Sequence, residues 1–231
     1  MTQARMLGES FKVYTVDLRN HGLSPHSDQH SYDLMAEDVR AFVESIQSGP
    51  AIVIGHSMGG KVAMKVATDH PELVAKLVIV DIVPKTYPPH HSRIVEGLLS
   101  LKTDQITSRQ EADEKLSVYV TQPDVRQFLL KNLSRKSEGG FNWKINLKVI
   151  ADNMEDILGD PVHGQAFNKP VLFVMGSRSD YFKTGDEVRI KTHFPNFKIQ
   201  FLNTGHWVQA EQPEAFVKTV LEFLKPATDA S

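Results

Sequence analysis

Ala51-Ile-Val-Ile-Gly55-His56-Ser57-Met58-Gly59-Gly60-Lys61-Val62-Ala63-Met64 is the stretch that decides the class of this chain. Residues 51–54 are a short apolar run of the kind that forms a strand buried on both faces. Residues 61–69 carry a helical period. Between them stands Gly-x-Ser-x-Gly, the context of a nucleophile elbow. Glycines two residues either side of Ser57 permit a tight, strained turn that holds the serine Oγ clear of a sheet. The following helix directs its positive N-terminal end at that serine. The pentapeptide alone is a weak pattern, and it gains force from the strand before it and the helix after it. The rival reading is a glycine-rich turn with an idle serine.

Outward from this stretch, further apolar runs occupy residues 11–16, 77–83, 171–175 and 198–202. They are continuous rather than alternating, which suits a parallel sheet with covered faces. Helical patterns over 32–46, 187–194 and 214–224 alternate with them, so the class is α/β with right-handed crossovers. Residues 85–167 break the alternation. Only helical patterns are legible there, at 94–101, 108–119, 125–133 and 144–157, with polar joints such as 136–140. An all-helical insertion between two parallel strands reads as a cap over the strand ends, where such sheets bind ligands. An uninvolved helical domain is the alternative. The expected division is 1–84 and 168–226 for the core, with 85–167 as the cap and a loose tail after 226.

Composition removes several classes. The 231 residues are 41% hydrophobic and 23% charged, with 26 basic against 28 acidic side chains and a net charge of −2. No basic stripe marks a nucleic-acid partner. The absence of cysteine excludes a disulfide framework, cysteine-ligated metal and a thiol nucleophile. The greasiest stretch, residues 73–84, is broken by Lys76 and Asp81 and falls short of the roughly 20 apolar residues of a membrane span. The first ten residues lack the apolar run of a secretory signal.

A serine nucleophile needs a base. Of ten histidines, His206 is best placed, in Leu202-Asn-Thr-Gly-His206-Trp-Val after the final apolar run. His56 lies inside the elbow, His21 belongs to an Asn-His-Gly turn, and His90–His91 lacks a carboxylate at metal-ligand spacing. His26, His30, His70, His163 and His193 read as solvated or turn residues. The orienting acid stays open between two strand ends. Asp81 closes Val78-Ile-Val-Asp81, and Asp180 follows Met175-Gly176-Ser-Arg-Ser179. A carboxylate closing so apolar a strand requires a partner, which favours Asp81.

Three motifs carry a resemblance: Val16-Asp17-Leu-Arg19-Asn-His21-Gly22-Leu-Ser24, the elbow, and Gly205-His206-Trp-Val-Gln-Ala-Glu211-Gln-Pro213. Together they resemble the α/β-hydrolase superfamily across essentially the whole chain. Val80-Asp81-Ile-Val-Pro84, Phe141-Asn-Trp143-Lys-Ile-Asn146 and Gly-His-Trp resemble more narrowly the branch of the bacterial YbfF esterase and mitochondrial abhydrolase-domain esterases. The resemblance implies a mostly parallel sheet with helices on both faces and an inserted helical cap. It implies the Ser57, His206 and Asp81 triad, with Asp180 as the alternative acid and the Met58 N–H in the oxyanion hole. Many relatives place the acid where Ser179 stands here, whereas this branch often has serine there and takes its acid from the earlier strand. The family's opening strands and His-Gly loop have no counterpart ahead of residue 11, so an N-terminally shortened core is expected. One lost oxyanion donor typically costs about 100- to 1000-fold in turnover.

The resemblance implies hydrolysis of a small-molecule carboxylic ester or thioester of short to medium acyl length, with acyl-CoA among the candidates. Neither cofactor nor metal is called for. Tyr87, Tyr119, Phe128, Phe141 and Trp143 offer an apolar acyl pocket or ordinary packing. Arg93 and Lys102 offer a phosphate contact or solvated charge. A non-catalytic binding protein or inactive remnant is one rival. A cofactor-free haloperoxidase or hydroxynitrile lyase on the same scaffold is another. A soluble chain, cytoplasmic or mitochondrial, is expected, the mitochondrial location from the resemblance alone, and the oligomeric state is open.

Overall fold

The computed structural model describes residues 2–89 and 92–225; the His90–His91 pair and the tail after 225 lie outside the described residues. In chain order the first half forms α1 (Thr2–Leu7), α2 (Tyr32–Ser45), β1 (Ala51–His56), α3 (Met58–Asp69), β2 (Val74–Val80), α4 (Ser92–Ser100) and α5 (Arg109–Leu116). The second half forms α6 (Pro123–Leu130), β3 (Leu133–Arg135), β4 (Phe141–Trp143), α7 (Leu147–Asp152), α8 (Met154–Leu158), β5 (Val171–Gly176), α9 (Asp186–His193), β6 (Phe197–Leu202), α10 (Val208–Glu211) and α11 (Pro213–Leu224). The chain divides into two compact units. The first comprises 1–16, 32–86 and 160–231; the second comprises 17–31 and 87–159.

The first unit is built on a parallel sheet of order β1-β2-β5-β6. Residues Leu77 to Val80 of β2 and all of β5 are buried, as their unbroken apolar runs require. One face buries Val78, Val80, Leu172 and Val174 against Leu7 of α1, Val208 of α10 and Phe216, Val217 and Val220 of α11. On the other, Phe173 meets Phe194, just beyond α9, edge-to-face with centroids 5.9 Å apart.

Residues 11–16, expected as a strand, join no ladder among the described residues. Phe11, Val13, Tyr14 and Val16 are correspondingly exposed. β-Propensity makes a run fit for a sheet, but only a paired backbone makes it a strand.

The second unit has its own core, in which Leu98, Ile106, Ala112, Leu116, Leu130, Leu133 and Phe141 are buried. It is not all-helical. β3 and β4 form an antiparallel hairpin with Leu133 opposite Trp143 and Arg135 opposite Phe141. The polar joint between them ends in Gly139 and Gly140, at φ 98° and 73°, a backbone that reverses the chain and that β-branched residues avoid. Three-residue strands are too short to show a period of two, so the hairpin was not legible as such.

Residues 17–31 belong to this unit through the fully buried Asn20. Its Oδ1 accepts from the Ser27 N–H at 2.7 Å and from Asn146 Nδ2 at 3.2 Å, and its carbonyl accepts from the Asn146 N–H at 2.8 Å. His30, expected as solvated, is instead buried beside Asn20, whose Nδ2 reaches its Nδ1 at 3.4 Å. Among the described residues no helix is long and apolar enough to cross a membrane.

Candidate active site

Parallel register assembles the site. His56 pairs with Val80, Val80 with Val174, and Gly176 with Leu202. The ladder continues one step further: the Ser57 N–H donates to the Val80 carbonyl at 3.1 Å and the Asp81 N–H to the Val174 carbonyl at 3.0 Å. Ser57 and Asp81 therefore leave the carboxyl edge of the sheet on adjacent strands. The loop after β6 brings His206 to the same edge.

Ser57 sits at φ 52° and ψ −121°, a positive-φ backbone unusual for serine. Close approach explains the glycines around it. A Cβ on Gly55 would lie 2.2 Å from the Gly59 carbonyl oxygen, and one on Gly60 would lie 2.5 Å from Ile82 Cγ2. Gly59, the second glycine of the pentapeptide, faces open space. Sterics demand Gly55 and Gly60 rather than the symmetrical pair of the motif. Ser57 is also the residue before α3, yet its side chain makes no cap bond, and its Oγ is turned to His206.

His206 Nε2 lies 3.0 Å from Ser57 Oγ, and His206 Nδ1 lies 2.7 Å from Asp81 Oδ2. A carboxylate only accepts, so Nδ1 carries the proton and Nε2 presents its lone pair to the serine hydroxyl. Asp81 is fully buried and, like Ser57, has a positive φ, 49°. Its other bonds come from the Gly176 N–H to Oδ1 at 2.8 Å and from the Ser179 hydroxyl to Oδ2. Three donors meet the cost of burying the charge. Asp180, the other candidate acid, has a side chain 94% exposed and paired with Lys183. Met58 is the first residue of α3, so its N–H is among the donors that a helix start leaves free of intrahelical partners.

Several neighbours were not singled out from the residues. Ser179 was legible only as a place where many relatives carry the acid; its bond to Asp81 depends on how the loop after β5 folds back. His56 donates from Nε2 to the His206 carbonyl at 2.8 Å. Burial, above all, pushes His56 down to about 4, so its ring is neutral at ordinary pH. Tyr181 stacks on the His206 ring. Lys61, in the elbow helix, is only 2% exposed and lies under the Tyr32 ring; burial pushes its ammonium down to about 8.

Of the expected cap aromatics, Phe141 is buried in the second unit's core, and Tyr119 and Trp143 pack against it. Phe128 is exposed and Tyr87 is buried. Arg93 donates to the Val118 carbonyl at 3.2 Å. Among the described residues no cluster of three or more His, Asp or Glu side chains is arranged to hold a metal ion.

Residues 3–213 match the alpha/beta hydrolase fold family. The chain belongs to that family. It is 39% identical over 222 residues to a Danio rerio protein named sn-1-specific diacylglycerol lipase ABHD11, covering 93% of this chain and 70% of the relative. It is 31% identical over 224 residues to Esterase YbfF of Escherichia coli, covering 96% and 85%. Among solved structures, one described as a marine microorganism esterase superposes with a TM-score of 0.93 at 39% identity, covering 97% of this chain and 89% of its own.

Proposed function

We propose that this carboxylic ester hydrolase works through an acyl-enzyme on Ser57, with His206 as the base and Asp81 as its orienting acid. The observation that carries the reading is the line of hydrogen bonds from Ser57 Oγ through His206 to the buried Asp81. Ser57 Oγ attacks the ester carbonyl carbon as its proton passes to His206 Nε2, and the carbonyl electron pair moves onto oxygen. The Met58 N–H, at the positive end of the 12-residue α3, receives that oxyanion. Collapse breaks the bond to the leaving alcohol, which takes the proton from Nε2. Water then attacks the acyl-enzyme, gives its proton to Nε2, and releases the acid with Ser57 restored.

Small-molecule acyl esters are the substrates this reading favours, supported by relatives named as esterases and a diacylglycerol lipase. Short to medium acyl chains, and thioesters including acyl-CoA, are the finer part of the proposal, since the same steps serve either leaving group. The test is a fluorophosphonate probe read by adduct mass, together with turnover of p-nitrophenyl esters of graded chain length and of acyl-CoA. Labelling confined to Ser57 and lost in Ser57→Ala is expected. Ester turnover that survives unchanged in Ser57→Ala sinks the mechanism.

A further inference from the structure

The imidazole of His206 is held on its faces as well as at its two nitrogens. Tyr181 lies nearly parallel to it, with centroids 4.0 Å apart and planes inclined by 15°. His56 leans on the ring at 4.6 Å and Trp207 meets it edge-on at 5.7 Å. Tyr181 is not placed by this stack alone. Its backbone N–H points to Ser179 Oγ at 3.4 Å, and that hydroxyl bonds Asp81. One short loop after β5 therefore supplies both a donor to the carboxylate that grips Nδ1 and a ring that covers the imidazole face.

Three charge states matter here. Burial first, and then the Asp81 charge, push the Tyr181 phenol up, so the stacked ring is a neutral π face. The imidazole that presents its Nε2 lone pair to Ser57 becomes a cation as it takes a proton from the serine. A cation over the face of a tyrosine ring is attracted by the ring quadrupole, an interaction absent from the neutral stack. Stabilisation that appears only when the proton moves is the kind that accelerates a reaction rather than tightening binding.

We propose that Tyr181 is a positioning residue of the reaction, fixing the plane of His206 and stabilising its imidazolium through the stacked π face. This rests on the reading of Ser57 as nucleophile and His206 as its base. The titratable groups facing the ring are Asp81 from the end of β2, Ser57 and His56 from the elbow, and Tyr181 itself. His56 stays neutral. Glu211 of α10 is engaged by the Gly205 N–H at 3.0 Å and by Arg178 at 2.8 Å. Asp180 pairs with Lys183 in solvent. Among these, Asp81 is the anion bonded to the imidazolium, and the Tyr181 face acts at right angles to that bond.

The experiment compares Tyr181→Phe with Tyr181→Leu, using p-nitrophenyl butyrate as the probe and recording kcat, KM and the pH profile from 5 to 9. Phenylalanine keeps the face and loses only the hydroxyl, so kcat within about twofold of wild type is expected. Leucine keeps the bulk without the face. It should lower kcat by about 3- to 30-fold with KM little changed, and its acid limb should lie at lower pH than that of the phenylalanine variant, because the imidazolium has lost a stabilising contact. NMR titration of His206 in the Ser57→Ala background gives the same comparison without turnover, with the leucine variant expected to titrate lower. Tyr181→Met replaces the leucine variant if that protein melts early. A leucine variant indistinguishable from wild type in kcat and titration reduces Tyr181 to packing and overturns the proposal, as does an equal loss in both variants, which would assign the effect to the hydroxyl. Retained turnover in Ser57→Ala would instead bring down the catalytic reading beneath it.

Discussion

His56 Nε2 donates to the backbone carbonyl of His206 at 2.8 Å. The residue before the proposed nucleophile thus ties down the main chain of the proposed base, across 150 positions of sequence. A neutral donor is suited to this, since desolvation of the ring keeps it from protonating near pH 7. His56→Phe removes the bond while keeping a ring. It should cost about 1 kcal/mol of stability and lower kcat by about 10- to 100-fold through displacement of His206. Urea unfolding and ester kinetics on one preparation check both; undiminished kcat would show that the tether is dispensable.

The choice between carboxylates is open to direct comparison. Asp81→Asn leaves the shape but gives His206 Nδ1 a donor-bearing amide, so the wrong tautomer is favoured; a fall in kcat of about 10⁴-fold is expected. Asp180→Asn changes a solvent-exposed group paired with Lys183 and should leave kcat within about twofold, surface ion pairs being worth little. A larger loss at Asp180 than at Asp81, in folded proteins, reverses the assignment.

The glycines of the elbow should respond unequally. Gly60→Ala drives a Cβ to 2.5 Å from Ile82 Cγ2 and should destabilise by about 1–3 kcal/mol, as overpacking does. Gly59→Ala enters open space in the first turn of α3 and should be neutral or stabilising by up to about 1 kcal/mol. Melting temperatures rank the two, and a Gly59→Ala protein that melts below Gly60→Ala contradicts the steric account.

Acid should weaken the fold through two histidines whose charged form the fold disfavours. His56 and His30 are each held down to about 4, in both cases chiefly by burial. Their folded values lie below the unfolded value of about 6.5, so the unfolded chain takes protons first as pH falls. Stability is therefore expected to decline from about pH 6.5 towards pH 4, by up to one bound proton per histidine. Urea midpoints at pH 7, 6 and 5 measure the slope, and His30→Phe should make it shallower; equal slopes would remove His30 from the account.

Lys61 should act at the other end of the scale. Its folded value of about 8 lies below that of a free lysine, so between about pH 8 and 10.5 the unfolded chain holds a proton that the folded one has released. Stability should rise across that window in wild type. The rise should shrink in Lys61→Met, which keeps the aliphatic length under Tyr32. An unchanged profile would show that Lys61 keeps its proton in the fold.

Local pattern and long-range geometry divided the determination of this molecule between them. The elbow, the alternation of strand and helix, and the late histidine were legible in the sequence because each depends on neighbours within a turn or two of chain. So was the family resemblance, which the match over residues 3–213 bears out. Tertiary structure decided what local pattern leaves open. Register between β2, β5 and β6 set Asp81 against His206 and left Asp180 in solvent, although both follow apolar strands. The absence of a ladder partner among the described residues left 11–16 outside the sheet, whatever its propensity. The fold-back of the loop after β5 put Ser179 on Asp81 and the Tyr181 ring on His206. Backbone preference acts along the chain, whereas pairing, burial and ring contact act across it, between residues that only the folded molecule makes neighbours.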